Sequence, residues 1–444
     1  MVSSGMAEVR PRCRRPFRMV IAAAMTLVVA ACAGRPTGVL FPVAAVETGG
    51  STVELLVATT RAPSSVPGEL FSGDRSTRLS LTDITVSIPP PGIHQPGRVE
   101  WPKRLPPDPS KEFAALEITP LTTKEEVRNW AQAHRRPNGR VLLFVHGFNN
   151  RYEDAVFRFA QIVNDSQADV TPILFTWPSS ASVFGYNYDR ESTNYSRDAL
   201  EEVLQIIARQ PGVTEVTVLA HSMGTWLVME SLRQMAIRDG RVAPKITNVV
   251  LASPDIDVDV FARQWIELGP EKPQFTVFVS QDDGALALSR RLAGNVDRLG
   301  QINPNAEPYR SAISRAGLSV IDLTALNDRN DALNHSKFAA SPEVVRAIGS
   351  RLVAGQTITD SEIGIGDHIG SVVASAAQTV GSGAALALTA PIALIDPKTR
   401  RNIPDRFDHF SRSFTGTFGA VERTAKTATD PVTEPLKKAA GAPQ

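Results

Sequence analysis

Short, mostly apolar runs alternate with amphipathic segments through the middle of the chain. Residues 141–145, 248–252 and 275–279 are runs of this kind, and such runs indicate strands buried on both faces of a parallel sheet. Residues 195–207 and 225–237 instead repeat their apolar positions with the helical period. We therefore predict an α/β fold with a mostly parallel central sheet and helices on both faces.

The residues before this region have a different pattern. Apolar and polar side chains alternate at Leu79 and Leu81 and again from Ile84 to Ile88. Alternation predicts antiparallel strands that lead into the sheet. Prolines recur over residues 102–109 and predict a surface loop.

Composition divides the chain into four parts. They are a signal peptide (1–31), a tether (32–51), a large α/β domain (52–355) and an Ala/Gly-rich extension with a polar tail (356–444). Of the 444 residues, 42% are hydrophobic, which is enough for one large domain with appendages. The net charge of +1 lacks the basic character of a nucleic-acid-binding protein, so we expect no nucleic-acid partner.

A serine stands where a strand-like run meets a helical pattern. Residues 213–221 precede Ser222, and Ala220 and Gly224 are the small positions that flank it. Small neighbours are needed in a nucleophile elbow, the sharp turn that lifts a catalytic serine above a sheet. Ala220 stands where the usual pattern has Gly, and a serine that merely caps a helix is the alternative interpretation. We predict that Ser222 is a nucleophile.

A second segment supports this prediction. His146 and Gly147 follow the run 141–145 directly, as in the loop that donates one backbone N–H to the oxyanion hole of α/β-hydrolases. The two expected donors are the amides of Phe148 and Met223, which would stabilise the negative oxygen of a tetrahedral intermediate. His146 itself is expected to brace the loop.

A serine hydroxyl needs a histidine that accepts its proton. In this fold the order along the chain is serine, acid, histidine, which leaves His335, His368 and His409. His335 follows the strand-like run 318–323, where the last strand should lead to the final helix, so we predict His335 as the base. His368 lies in a Gly-rich stretch beyond the domain and His409 in the polar tail.

Two strand ends offer an acid that would orient the histidine. Asp283 follows the run 275–279, and Asp255 follows the run 248–252, the position that some lipases use. We predict Asp283 and keep Asp255 as the alternative, with Asp282 or Asp257 as further choices. The competing interpretation for each is an aspartate that caps a helix or turns a loop.

Several segments together resemble a known family. Over roughly residues 52–355 the chain resembles bacterial α/β-hydrolases of unknown function, described as esterase-like or lipase-like. The resemblance is carried by Leu56–Arg61, Phe144–Asn149, Phe175–Ser179, Ala220–Gly224, Ser253–Asp257 and Asn334–Ser336. It implies the α/β-hydrolase fold and a serine-hydrolase activity.

The start of the chain predicts a cell-envelope location. Five arginines between Arg10 and Arg18 precede an uncharged stretch of 13 residues, 19–31, too short to span a bilayer. Val29-Ala30-Ala31-Cys32 resembles a bacterial lipobox, so Cys32 is the predicted lipidation site, with plain cleavage beside an incidental cysteine as the alternative. Cys13 is the other cysteine, and cleavage before Cys32 would remove it. Export by the twin-arginine or the general route is left open.

The sequence thus predicts a lipid-anchored serine hydrolase that cleaves a small-molecule or lipid ester. We find no Cys/His cluster with metal-ligand spacing and no phosphate-binding loop, and we expect no metal and no cofactor. Two alternatives are an acyltransferase with the same triad and a catalytically idle module for interactions in the envelope. The second is disfavoured because binding does not require Ser, His and Asp at three strand ends.

Overall fold

The computed structural model describes residues 37–46, 49–326 and 331–354. The predicted signal peptide, Cys32, His368 and His409 lie outside the described residues. So does the extension 356–444.

One mixed sheet of nine strands organises the described chain. In sheet order the strands run β3-β2-β1-β5-β4-β6-β7-β8-β9. Their bounds are β1 Ser51–Pro63, β2 Phe71–Ile88, β3 Ala114–Leu121, β4 Arg140–Val145, β5 Thr171–Thr176, β6 Glu215–His221, β7 Ile246–Ala252, β8 Gln274–Val279 and β9 Ser319–Asp322. The β1–β2 and β2–β3 pairs are antiparallel, and all other pairs are parallel. The predicted fold class is confirmed, including the antiparallel leading strands.

Helices cover both faces of the sheet. Their bounds are α1 Lys124–Ala133, α2 Tyr152–Ser166, α3 Tyr186–Arg209, α4 Gly224–Asp239, α5 Val258–Glu267, α6 Gly284–Leu292, α7 Tyr309–Ala316, α8 Lys337–Ala340 and α9 Pro342–Ala354. One apolar core joins the sheet to α3, α4 and α5, for example through Leu204, Leu227 and Phe261. The other joins it to α2 and α9 through Phe157 and Val344. None of the described helices is long and apolar enough to cross a membrane.

The register of the parallel strands decides where the loops meet. Val145 pairs with Ala220, and Ala220 pairs with Leu251. Parallel strands in register end at the same edge of a sheet, and ligands of open α/β sheets bind outside these carboxyl ends. The loops that carry the predicted site residues therefore converge at one edge, which we call the carboxyl edge.

Part of the predicted tether packs on the domain. Val39 and Leu40 are fully buried in the core that contains α2. The Leu40 amide donates to the Gly68 carbonyl at 3.0 Å, and the Val43 amide donates to the Ala115 carbonyl at 2.9 Å. Val39 and Leu40, which the sequence analysis assigned to the tether 32–51, therefore lie in the core of the domain, where burial of their apolar side chains is favourable.

Candidate active site at the carboxyl edge

Ser222 occupies a tight turn between β6 and α4. Its φ angle is 52°, in the left-handed region that non-glycine residues rarely adopt, and its amide donates to the Ala252 carbonyl at 2.9 Å. A β-carbon on Gly147 would lie 2.8 Å from the β-carbon of Ser222. A β-carbon on Gly224 would lie 2.9 Å from the Val145 carbonyl oxygen. Both glycines are therefore needed for the β4 loop to approach the turn this closely.

His335 and Asp283 are in direct contact. The Nδ1 of His335 lies 2.7 Å from Oδ2 of Asp283, whose side chain is fully buried. The other carboxylate oxygen of Asp283 accepts from the Leu286 amide at 2.9 Å, so Asp283 also caps α6. Burial opposes a charge on His335, but the Asp283 carboxylate, with Asp255 adding to it, raises the pKa of His335 above its usual value.

The loop that carries His335 is fixed beside Ser222. His221, the residue before Ser222, donates through its Nε2–H to the His335 carbonyl oxygen at 3.2 Å, and the centroids of the two imidazole rings lie 4.7 Å apart. Burial, followed by the charge of His335, lowers the pKa of His221 well below its usual value. His221 is therefore a neutral donor that positions the His335 backbone next to the turn.

Asp331 organises the same loop. One of its carboxylate oxygens accepts from the amides of His335 at 2.8 Å and Ser336 at 2.7 Å, and the other accepts from the Leu333 amide at 2.9 Å. The sequence analysis did not identify Asp331, because a loop aspartate gives no periodic signal.

Asp255 lies near the turn but is engaged elsewhere. Its amide donates to the Ser222 carbonyl at 3.2 Å. Its carboxylate accepts from the hydroxyls of Ser289 at 2.5 Å and Tyr186 at 3.2 Å and forms a buried ion pair with Arg298 at 3.3 Å. The structure places Asp283 on His335, and it places Asp255 in a separate cluster.

The two remaining aspartates have structural partners. The Asp282 carboxylate contacts the Lys337 ammonium at 2.8 Å and accepts from the Asn334 side-chain amide at 2.9 Å. Asp257 caps α5 by accepting from the amides of Asp259 at 2.8 Å and Val260 at 3.3 Å. The helix-capping interpretation therefore describes Asp257.

A buried arginine ties the β4 loop to the rest of this edge. Arg61, 1% exposed, donates to the Asn150 carbonyl at 2.8 Å, to the Thr176 hydroxyl at 2.9 Å and to the Ser179 carbonyl at 3.2 Å. Burial lowers its pKa to about 10, against the opposing charge of Asp189 and other carboxylates. Arg61 therefore remains a cation at neutral pH and bonds to the end of β5 and to the loops that follow β4 and β5.

Asp189 completes this brace. Its carboxylate accepts from the Ser180 amide at 2.7 Å, from the Ser179 hydroxyl at 2.5 Å and from the Asn149 amide at 3.3 Å. The Ser179 hydroxyl oxygen in turn accepts from the Asn150 amide at 3.1 Å. Side chains of both charges thus fix the backbone immediately after Phe148.

His146 braces the start of the loop as a neutral group. Its Nε2 accepts from the Trp177 amide at 3.1 Å, its Nδ1 donates to the Gly147 carbonyl at 2.8 Å, and its ring stacks on the Trp177 ring at 4.8 Å. Burial, with the nearby Arg61 charge, lowers the pKa of His146 to about 3.

The two predicted oxyanion donors flank this arrangement. Phe148 lies in the braced loop, and Met223 is the N-cap of α4. Within the described part of the chain, neither backbone amide donates a hydrogen bond. The first amides of a helix have no intrahelical acceptor, so the Met223 amide is available to donate to a group outside the helix.

The aromatic segment after β5 has mixed roles. Tyr186 packs edge-on against the Phe148 ring with centroids 5.6 Å apart, and the Tyr188 hydroxyl donates to the Gly73 carbonyl at 3.0 Å. Phe184 is 96% exposed. The two tyrosines thus pack against other segments, whereas Phe184 does not.

Residues 123–351, more than half of the chain, identify its family. They match the family described as alpha/beta hydrolase of unknown function (DUF900). The chain belongs to this family. The match covers Ser222, Asp283 and His335, whereas Arg61 lies before it.

Individual relatives match this α/β-hydrolase over limited spans. An uncharacterized protein of Nostoc sp., alr1448, is 35% identical over 74 residues, which are 17% of this chain and 19% of the relative. The chain thus matches about a fifth of that relative's length.

Solved structures also match at low identity. A predicted CIB-like hydrolase of Thermoplasma acidophilum is 15% identical, with a TM-score of 0.28, over 49% of this chain and 88% of its own. The type II thioesterase YbtT of the yersiniabactin pathway is 14% identical, with a TM-score of 0.27, over 50% of this chain and 94% of its own. An esterase/lipase from an uncultured bacterium is 13% identical, with a TM-score of 0.25, over 70% of this chain and 92% of its own.

Proposed function

We propose that this α/β-hydrolase cleaves carboxylic esters through Ser222, His335 and Asp283. The observation that carries the proposal is the 2.7 Å contact between His335 and the buried Asp283, beside the strained turn that holds Ser222. A buried carboxylate on one imidazole nitrogen fixes the tautomer in which the other nitrogen is free to accept a proton.

The reaction proceeds in two acyl-transfer steps. The Ser222 hydroxyl oxygen bonds to the ester carbonyl carbon as its proton passes to Nε2 of His335, and the carbonyl electron pair moves onto the oxygen. Collapse of this tetrahedral intermediate breaks the bond to the alcohol oxygen, which takes the proton from His335. Water then repeats the sequence on the acyl-serine, and the acid is released.

The amides of Phe148 and Met223 are assigned to the oxyanion. A donor that is already oriented needs no reorganisation during the reaction, and removing one typically lowers kcat about 10²–10³-fold. The bonds of Arg61 and Asp189 on either side of Asn149 supply this preorganisation. No cofactor takes part in these steps.

An acyltransferase with the same triad differs only in the second step, where an alcohol replaces water. An idle binding module is the poorer candidate. A non-glycine residue in the left-handed region costs about 1–3 kcal/mol, a strain that clusters at active sites. Ser222 has this geometry beside the His335–Asp283 pair.

We also propose that Cys32 is lipidated and anchors the domain in the cell envelope. The proposal rests on the lipobox-like Val29-Ala30-Ala31-Cys32 and the arginine-rich segment before it. The substrate is then a small-molecule or lipid ester in that compartment.

The deciding experiment is covalent labelling with a fluorophosphonate probe. We expect the wild type to be labelled and Ser222→Ala not to be. Ser253→Ala is a matched control, because Ser253 is also buried, follows the neighbouring strand β7 and has a φ of 46°. Equal labelling of wild type and Ser222→Ala would exclude Ser222 as the nucleophile.

A further inference from the structure

Exposed apolar side chains collect along the carboxyl edge. Phe184 and Val183, 96% and 49% exposed, lie in the connection after β5. Val66 lies in the hairpin after β1, Leu288 on α6 after β8, and Leu333 in the loop after β9; each is about half exposed. We call these five residues the apolar rim.

Polar contacts hold the segments of the rim together. The hydroxyls of Tyr186 and Ser289 lie 2.8 Å apart and join the connection after β5 to α6. The Gly284 amide donates to the Leu333 carbonyl at 2.8 Å, which joins α6 to the loop after β9. Three segments of the apolar rim, those that carry Phe184, Leu288 and Leu333, are therefore joined to one another at the carboxyl edge.

The start of the described chain meets this same edge. Leu40 bonds to Gly68 in the β1–β2 hairpin, the turn that contains Val66. A β-carbon on Gly38 would lie 2.6 Å from the Pro67 carbonyl oxygen. Because β1 is parallel to β5, this hairpin lies where the other parallel strands end.

The distance from Cys32 to this point is short. Gly38 is six positions after Cys32 in the chain, and a fully extended chain spans at most about 3.5 Å per residue, or about 20 Å in all. A lipid on Cys32 would therefore hold the carboxyl edge, with Val66 next to Gly38, within about 20 Å of the membrane surface.

We propose that the apolar rim docks on the lipid surface that holds Cys32 and that the ester substrate is drawn from that surface. The proposal rests on the proposed function and on lipidation of Cys32. Docking removes Phe184 from water, and the short segment from Cys32 to Gly38 holds the carboxyl edge, where Ser222 lies, close to the lipid.

The test compares two substrates in the full-length lipidated protein. One is a long-chain fluorogenic ester embedded in phosphatidylcholine vesicles, and the other is a soluble short-chain aryl ester. The rim variant is Val66→Ser with Phe184→Ser. The control is Ile206→Ser with Ile237→Ser, two exposed positions near the far ends of α3 and α4, at the opposite edge of the sheet.

The rim variant should hydrolyse the vesicle ester at least about tenfold more slowly, because loss of one large apolar side chain from the docking surface alone is expected to give about tenfold and the variant removes two. Its rate on the aryl ester should be unchanged, and the control should match wild type on both. Full activity of the rim variant on vesicles, or equal losses on both substrates, would overturn the proposal.

Docking also has a readout independent of hydrolysis. A polarity-sensitive dye on Phe184→Cys of the lipidated protein, whose cleavage removes Cys13, should shift to the blue when vesicles are present, and the same dye on Ile237→Cys should not. A shift at both positions or at neither would reject docking. If neither ester is cleaved although the dye at position 184 shifts, the proposed function fails and the docking surface stands.

Discussion

His335 and Asp283 are in contact at 2.7 Å although they are 52 positions apart in the chain. Both follow strands that are hydrogen-bonded neighbours, β9 and β8. The Asp255 amide donates to the Ser222 carbonyl, yet the Asp255 carboxylate contacts Arg298, Ser289 and Tyr186. The difference between these two aspartates gives the first prediction.

Asp283→Asn should lower kcat on a short-chain aryl ester by about 10⁴, because the amide stabilises the wrong imidazole tautomer. Asp255→Asn should lower it far less, since its carboxylate has no hydrogen bond to His335 among the described residues. Steady-state kinetics of both variants decide the assignment. A larger loss in Asp255→Asn would move the acid to the end of β7.

The acid limb of the pH profile should report His335. Its pKa is raised, and the base must be neutral to accept a proton. Activity should therefore rise with pH through an apparent pKa above about 6.5, the usual value for histidine. Asp331→Asn removes a carboxylate that contributes to this rise, so the limb of kcat/KM should move to lower pH. A profile that does not move would show that Asp331 acts on the loop alone.

Arg61 is predicted to position the oxyanion loop. Arg61→Met removes the bonds to the Asn150 and Ser179 carbonyls and should lower kcat by up to about 10²–10³, the cost of one misplaced donor, with little change in KM. Arg61→Lys keeps the charge but not the planar fork and should recover only part of the rate. Thermal unfolding of both variants serves as the control. Recovery of full activity by lysine would mean that charge alone suffices.

His94, which lies away from the candidate site, should affect stability. His94 lies between the carboxylates of Glu100 at 2.7 Å and Asp165 at 2.8 Å. Burial opposes its charge, but the hydrogen bonds to Asp165 and Glu100 raise its pKa to about 9. Because the folded pKa exceeds the unfolded value, the stabilisation is complete below about pH 6.5 and is lost as pH rises through about 9.

The measurement is urea unfolding of wild type and His94→Gln. The difference in their free energies of unfolding should shrink by at most about 3 kcal/mol between pH 6 and pH 9.5. A difference that stays constant across this range would contradict a charged His94.

Lipidation of Cys32 predicts where the protein partitions. Wild type should enter the detergent phase, because each buried CH₂ contributes about 0.8 kcal/mol and several acyl chains act together. Cys32→Ser should be soluble and keep its activity on the aryl ester. If it stays with the membrane, the uncharged stretch 369–395 becomes the candidate anchor, and deletion of the residues after 360 decides between them.

The sequence by itself determined the fold class and the list of candidate site residues. Apolar runs of strand length and amphipathic segments between them require a sheet covered on two faces, because this is how such surfaces leave water. The small residues around Ser222 similarly predicted a tight turn. These are local patterns, and each can be recognised from the neighbouring residues in the chain.

Only the tertiary structure distinguished Asp283 from Asp255, since both follow a strand and the side chains that meet each come from distant segments. It also revealed Arg61 as the brace of the β4 loop and placed Val39 and Leu40 in the core. A charged residue in a strand and two apolar residues in a Gly/Pro-containing stretch give no local signal. Their roles depend on partners that only the sheet order brings within bonding distance.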